Sequence, residues 1–212
     1  MKIINLSSKL FSSILLALIL NTAFAGNIKE LPVACNTNCI SPYGTVLGVS
    51  KRGIEAYSNC NSGCVIFEPN NLKNTYTGIK WQCVEYARRW LLINKGAVYG
   101  DVDTAADIWD KINNLTDVNT NITLQLESHL NGSKQAPQVG DLLIYSKEFN
   151  NTGHVAVVLN VDYKNGFIEV GEQNYTNDLW PGNYARKIEL IKKSDIYWLL
   201  DQYLLGWKHI SQ

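Results

Sequence analysis

Two hydrophobic periods divide this chain. Over residues 81–94 apolar side chains recur every three or four positions, at Val84, Ala87, Trp90 and Leu91. That is the period of a helix with a buried face. Lys95 and Gly96 follow and fit a basic last turn and a left-handed cap. A second helix is predicted over 104–112. Short strand-like runs precede the first helix at 46–49 and 54–57, bounded by Gly44 and Gly53. Residues 69–78 contain Pro69, Asn70, Asn71, Asn74 and Gly78 and are expected to form a loop.

Beyond residue 140 the pattern becomes that of strands. Residues 141–145 and 154–161 are compact apolar runs, Lys164-Asn165-Gly166 supplies a turn, and 167–174 returns from it. Residues 113–139, rich in Asn, Thr, Gly and Pro, are expected to be connecting structure with one short strand near 123–126. Residues 196–207 are expected to combine a short helix with a final strand. A helix followed by a small antiparallel sheet is an α+β arrangement.

The start of the chain follows a third pattern. Lys2 and Lys9 give a positive beginning, and residues 10–20 are apolar except for Ser12 and Ser13. Ala23-Phe24-Ala25 then offers small-x-small cleavage chemistry. Residues 1–25 are predicted to be a signal peptide, too short to serve as a membrane span. The expected organisation is an N-terminal extension over 26–41 and one domain over 42–212, in a bacterial periplasm or secreted. Acids and bases balance at 19 each. With no basic patch, nucleic acid is not an expected partner, and no stable membrane insertion is expected after leader removal.

Cysteine changes the picture more than charge does. Cys35 with Cys39 and Cys60 with Cys64 form two close pairs, while Cys83 stands alone. In an exported protein the four are candidates for two disulfides, with three connectivities open. The rival is a four-thiolate zinc site. Cys83 is the leftover thiol, and it falls in the first turn of the predicted helix. Free backbone N–H groups and the positive end of the helix dipole lower a thiol pKa there, and the same groups near Gln82 and Cys83 suit an oxyanion.

A thiol nucleophile needs a base. Of three histidines, His129 lies in the polar connecting region and His209 near the C-terminus; both read as structural. His154 opens an apolar strand directly after Gly153, where the absence of a side chain permits close approach. It is the candidate base and later proton donor. Glu172, on the returning strand, is the candidate orienting group, with Asn174 as a neighbouring polar helper. Glu169 is expected to be a solvated strand residue.

These residues resemble a known family. Gly78-Ile79-Lys80-Trp81-Gln82-Cys83-Val84-Glu85-Tyr86-Ala87-Arg88-Arg89 is similar to the nucleophile helix of the CHAP amidohydrolases, and within them to glutathionylspermidine amidase domains. Gly153-His154-Val155-Ala156 resembles their histidine strand and Glu172-Gln173-Asn174 their third-residue segment. Pro42-Tyr43-Gly44-Thr45 and Leu205-Gly206-Trp207 extend the likeness over nearly the whole chain after the leader. The resemblance implies a papain-like fold, of the NlpC/P60 type, and a Cys83–His154–Glu172 catalytic set, with Arg88 shaping the substrate site. It implies no metal or organic cofactor. The substrate it implies is a small peptide–polyamine conjugate. The export leader points instead to peptidoglycan peptides as the alternative. A binding module that kept the fold without turnover is the non-enzymatic alternative.

Overall fold

The computed structural model describes residues 30–211. The predicted signal peptide lies outside them. Among the described residues no helix is long and apolar enough to cross a membrane.

A 3-10 turn at Val33–Cys35 comes first, followed by the antiparallel pair β1 (Val46–Val49) and β2 (Glu55–Tyr57). β3 (Pro69–Leu72) and β4 (Thr75–Ile79) form a hairpin where a loop was expected. Its residues are polar because most of β3 faces solvent, so no alternation marks it in the sequence. The helix α1 (Cys83–Lys95) follows, then β5 (Ala97–Val98) and the one-turn helix α2 (Asp107–Lys111), which is shorter than the predicted 104–112. β6 (Asn114–Asp117) and β7 (Thr123–Leu130) occupy the region expected to be mostly connecting structure. β8 (Leu142–Tyr145), β9 (His154–Asp162) and β10 (Phe167–Gly171) match the predicted run of strands. β11 (Arg186–Lys193), β12 (Ile196–Leu199) and β13 (Leu204–Ile210) complete the order, with no helix over 196–207.

Nine strands form one sheet in the order β12-β11-β10-β9-β8-β13-β7-β6-β5. The sheet is larger than expected, and it curls. After β7, Gly132 N–H donates to Tyr197 O at 2.9 Å, Tyr197 N–H donates to Ser133 O at 2.8 Å, and the Asn131 amide bonds both backbone groups of Leu199. The far edge strand β12 is therefore tied to the chain leaving β7.

Strand alternation splits the core into two layers. Leu142 and Ile144 of β8 and Val155 and Val157 of β9 belong to the layer that holds α1 through Tyr86, Ala87, Trp90 and Leu91. Leu143, Tyr145, Ala156 and Val158 belong to the other, with Ile168, Ile188, Leu190 and Trp207. Each fully buried large apolar side chain is worth roughly 1.5–3 kcal/mol. Helix α1 is capped at its start by Gln82, whose backbone is extended, and at its end by Gly96, left-handed at φ 66°, with its N–H on Leu92 O. The cap predicted from Lys95-Gly96 is thus present.

Two disulfides, Cys35–Cys64 and Cys39–Cys60, cross between the close sequence pairs and staple the chain before β1 to the loop after β2. Closing loops of this length stabilises by about 3 kcal/mol each. The four sulfurs that rival a zinc ribbon are consumed in this way, and Cys83 is the free cysteine among the described residues.

Candidate active site

Cys83 is the first residue of α1 and is 8% exposed. Burial alone would raise its thiol pKa. The opposing charge and hydrogen bond of His154, with backbone donors at Val155 and Val84, overcome burial and hold it below the ordinary value. His154 opens β9. Gly153 before it has φ +71°, and a Cβ there would stand 2.5 Å from Tyr145 O and 2.7 Å from Ala106 Cβ. Glycine is required at this turn because the backbones of two elements close on it.

His154 Nε2 lies 2.9 Å from Glu172 Oε2, which leaves Nδ1 for Cys83. Both side chains are buried. Burial would lower the imidazole pKa, but the Cys83 and Glu172 charges raise it to about 9. Glu172 sits one residue beyond β10. Burial would raise its carboxyl pKa. Arg186 first, then His154, hold it below the usual range.

The flanking residues are also fixed. Gln173 Oε1 accepts from Tyr57 N and Arg89, and its amide donates to Glu85 Oε2 and Gln82 O. Glu85 and Arg89 form a buried ion pair at 2.7 Å, one helical turn apart. Gln173 thus bolts the Glu172 segment to the start of α1. Asn174 Nδ2 donates to Gln82 Oε1 at 2.8 Å. Its Oδ1 is buried with no protein partner among the described residues. The Gln82 backbone N–H, expected near the oxyanion, is taken by Ile79 O at 3.1 Å. The Gln82 side-chain Nε2 donates at 3.4 Å to Asn59 Oδ1 and Cys64 O.

Cys83, His154, Gln82, Asn174 and Arg88 line one cavity of about 540 Å³, within the size range of small-ligand sites. Arg88 is buried, pairs with Asp101 at 2.8 Å, and lies over the rings of Tyr76 and Tyr99. Its neighbour Arg89 faces Glu85 instead. The lining also includes Val65 and the exposed Phe67. The other histidines do not line this cavity: His209 pairs with Asp141 at 2.6 Å, and His129 is 3.8 Å from Glu127. Glu169, expected to be solvated, is largely covered and lies 3.7 Å from Lys187.

Three residues at the site had no functional reading from the sequence: Arg186, Asp201 and Tyr145. Arg186 Nε donates to Glu172 Oε1 at 2.7 Å, while its other nitrogens reach Asp201 Oδ2 at 2.6 Å and the Tyr145 hydroxyl at 2.8 Å. A signal for Arg186 was present. It shares alternation parity with Ile188 and Leu190, the buried positions of β11, so it is a charge on a core face.

A helix-start thiol on an imidazole, itself held by a carboxylate, at the wall of a ligand-sized cavity defines a class: proteins equipped for thiol attack on a carbonyl. Residues 74–174 match the CHAP domain. The chain is 33% identical over 187 residues to the trypanothione synthetase of Crithidia fasciculata, covering 84% of this chain and 28% of that protein. It is 35% identical over 183 residues to the bifunctional glutathionylspermidine synthetase/amidase of Escherichia coli K12, covering 79% and 29%. The chain spans less than a third of the length of these curated relatives. It carries a CHAP domain over residues 74–174.

Proposed function

We propose that this protein is an exported amidase of the glutathionylspermidine amidase kind, with Cys83 as nucleophile, His154 as base and acid, and Glu172 as orienting group, on a papain-like arrangement of α1 against the sheet. The observation that carries the reading is the His154–Glu172 contact at 2.9 Å, with His154 and Cys83 lining the same cavity. The Cys83 thiolate attacks the amide carbonyl and a C–S bond forms. The oxyanion rests on the Cys83 N–H and the Gln82 amide, at the positive end of α1. His154 protonates the leaving amine as the C–N bond breaks. Water, deprotonated by His154, then attacks the thioester and releases the acid with return of the thiol.

Arg88 and Asn174 are the substrate contacts in this reading. Arg88 lines the cavity, and Asn174 brings an unpartnered acceptor. The relatives favour a small peptide–polyamine conjugate, since one is named for glutathionylspermidine amidase activity. The two disulfides favour an oxidising compartment, and with it a peptidoglycan stem or cross-link amide as the second reading. The proposed organisation keeps a leader over 1–25, an extension over 26–41 that carries half of each disulfide, and the catalytic domain over 42–212.

The test is to incubate the protein with glutathionylspermidine and with purified peptidoglycan and to follow released amines by mass spectrometry. Free spermidine supports the first reading and a released wall peptide supports the second. No new amine from either substrate, with Cys83 intact, would count against both.

A further inference from the structure

Among the described residues Glu172 is the one carboxylate bonded to His154, and it is buried. An isolated buried carboxylate tends to take up a proton, because desolvation penalises the charged form. A protonated Glu172 could not balance the imidazolium that forms when Cys83 gives up its proton. What keeps the charge in place comes from another strand.

Arg186, the first residue of β11, lays its guanidinium along Glu172, with Nε at 2.7 Å from Oε1 and Nη2 at 3.4 Å from Oε2. It also donates on the far side. Nη1 bonds Asp201 and Nη2 bonds the Tyr145 hydroxyl, which in turn donates to Asp201 Oδ2 at 2.6 Å. The face of the guanidinium lies 4.2 Å from the Tyr175 ring. Tyr175 stacks on Phe149 at 5.3 Å, and both rings stand beside His154, at 5.1 and 5.6 Å. Arg186 is thus clamped by three elements and screened from water on one side by aromatic rings. A fork held this rigidly fixes both position and orientation of a carboxylate.

We propose that Arg186, anchored by Asp201 and Tyr145, is a positioning residue of the reaction that keeps Glu172 ionised and aimed at His154 Nε2, so that the Cys83–His154 ion pair persists at acidic pH. The inference rests on the proposed roles of Cys83, His154 and Glu172. The groups that face this centre are Cys83 and Tyr86 from α1, Tyr145 from β8, His154 from β9, Tyr175 after β10, Arg186 from β11 and Asp201 after β12. Among them Arg186 is the sole permanent cation.

Two outcomes are physically available on removing it. If Glu172 takes up a proton, the imidazolium loses its partner and the thiolate forms only at higher pH. If Glu172 stays ionised, the imidazolium keeps its partner and the pH at which the thiolate forms stays nearly where it is. The proposal requires the first.

The experiment measures the rate of Cys83 alkylation by iodoacetamide from pH 4 to 9 in the full chain, in wild type, R186Q, R186K and D201N, with circular dichroism as the folding control. The expected result for R186Q is an acid limb displaced upward by about one pH unit, a roughly tenfold loss of rate on that limb. R186K should recover part of the shift, because it returns charge without the fork. D201N should move the limb upward by a smaller amount, and it decides the matter if R186Q does not fold. An unmoved or downward-shifted limb in folded R186Q, or in D201N where R186Q does not fold, would overturn the role of Arg186 alone. A wild-type Cys83 alkylated no faster than in the denatured chain would overturn the thiolate reading and this inference with it.

Discussion

Among the described residues two histidines are hydrogen-bonded to a carboxylate, and one of these two pairs stands beside the candidate nucleophile. His154 meets Glu172 at 2.9 Å and His209 meets Asp141 at 2.6 Å. By distance the second pair is the tighter. The difference lies in what stands on either side. Glu172 has Arg186 behind it, and its carboxyl is held below the usual range although burial works the other way. Behind Asp141 are the Gln138 backbone N–H at 2.8 Å and the more distant charge of Lys95, and burial raises its carboxyl pKa to about 6. Ahead of His154 is a thiol at a helix start. Ahead of His209, at 6.4 Å between ring centroids, is a second histidine ring, His129. A histidine–carboxylate pair is therefore half of a device. A cation that fixes the carboxylate and a nucleophile that uses the ring complete it.

This contrast can be broken most sharply at the nucleophile. Cys83→Ala should lower amide turnover by roughly four orders of magnitude or more, as removal of a triad member does, with the fold retained because little volume is lost. His154→Ala should approach the same loss. Full activity in either variant, assayed by amine release, would remove the mechanism. Glu172→Gln should cost less, about 10²-fold, because an amide still orients the ring but no longer balances its charge.

The pH profile separates the pairs next. With the His154 imidazole raised to about 9, the working ion pair is intact below that value and is lost as pH rises through it. Turnover should therefore fall above about pH 9, roughly tenfold per unit once well past the limb. A basic limb near the ordinary histidine value, measured by kcat/KM against pH, would contradict the assigned partners.

The smallest effect belongs to the second pair. Asp141→Asn should leave turnover within about twofold of wild type. Its signature is in stability. A raised carboxyl pKa means that the folded state binds the proton more tightly than the unfolded chain, so stability present at low pH declines as pH rises from about 4 to about 6. The decline attributable to Asp141 should be about 1–3 kcal/mol and absent in Asp141→Asn. Denaturant unfolding at pH 4 and pH 7 for both proteins checks it.

The two regions also show how far a sequence can be read. The nucleophile helix was legible almost to its ends, because its apolar period, Lys95 and Gly96 all act locally. The histidine strand was legible through Gly153 and the valines that follow it. The β3–β4 hairpin and β6 were not, and β7 was legible only over 123–126, because β3 is polar and none of its residues is buried, while the burial patterns of β6 and β7 lack clean alternation. Arg186 was hidden for another reason. Its partners, Glu172, Asp201 and Tyr145, lie 14, 15 and 41 residues away and meet only after β8 to β12 have paired. The choice of Glu172 over Glu169 rests partly on the hairpin register and partly on the resemblance of Glu172-Gln173-Asn174, and the register carries a bulge between Glu169 and Val170.

The central claim is that Cys83 is a thiolate held by His154 at a pH where an ordinary thiol is protonated. The direct measurement is the rate of iodoacetamide labelling of the native protein at pH 6, compared with the same chain denatured at the same pH, with the labelled peptide located by mass spectrometry. Labelling confined to Cys83 and faster than in the denatured chain by about tenfold or more is the expected result. A native rate equal to or below the denatured rate would contradict the claim.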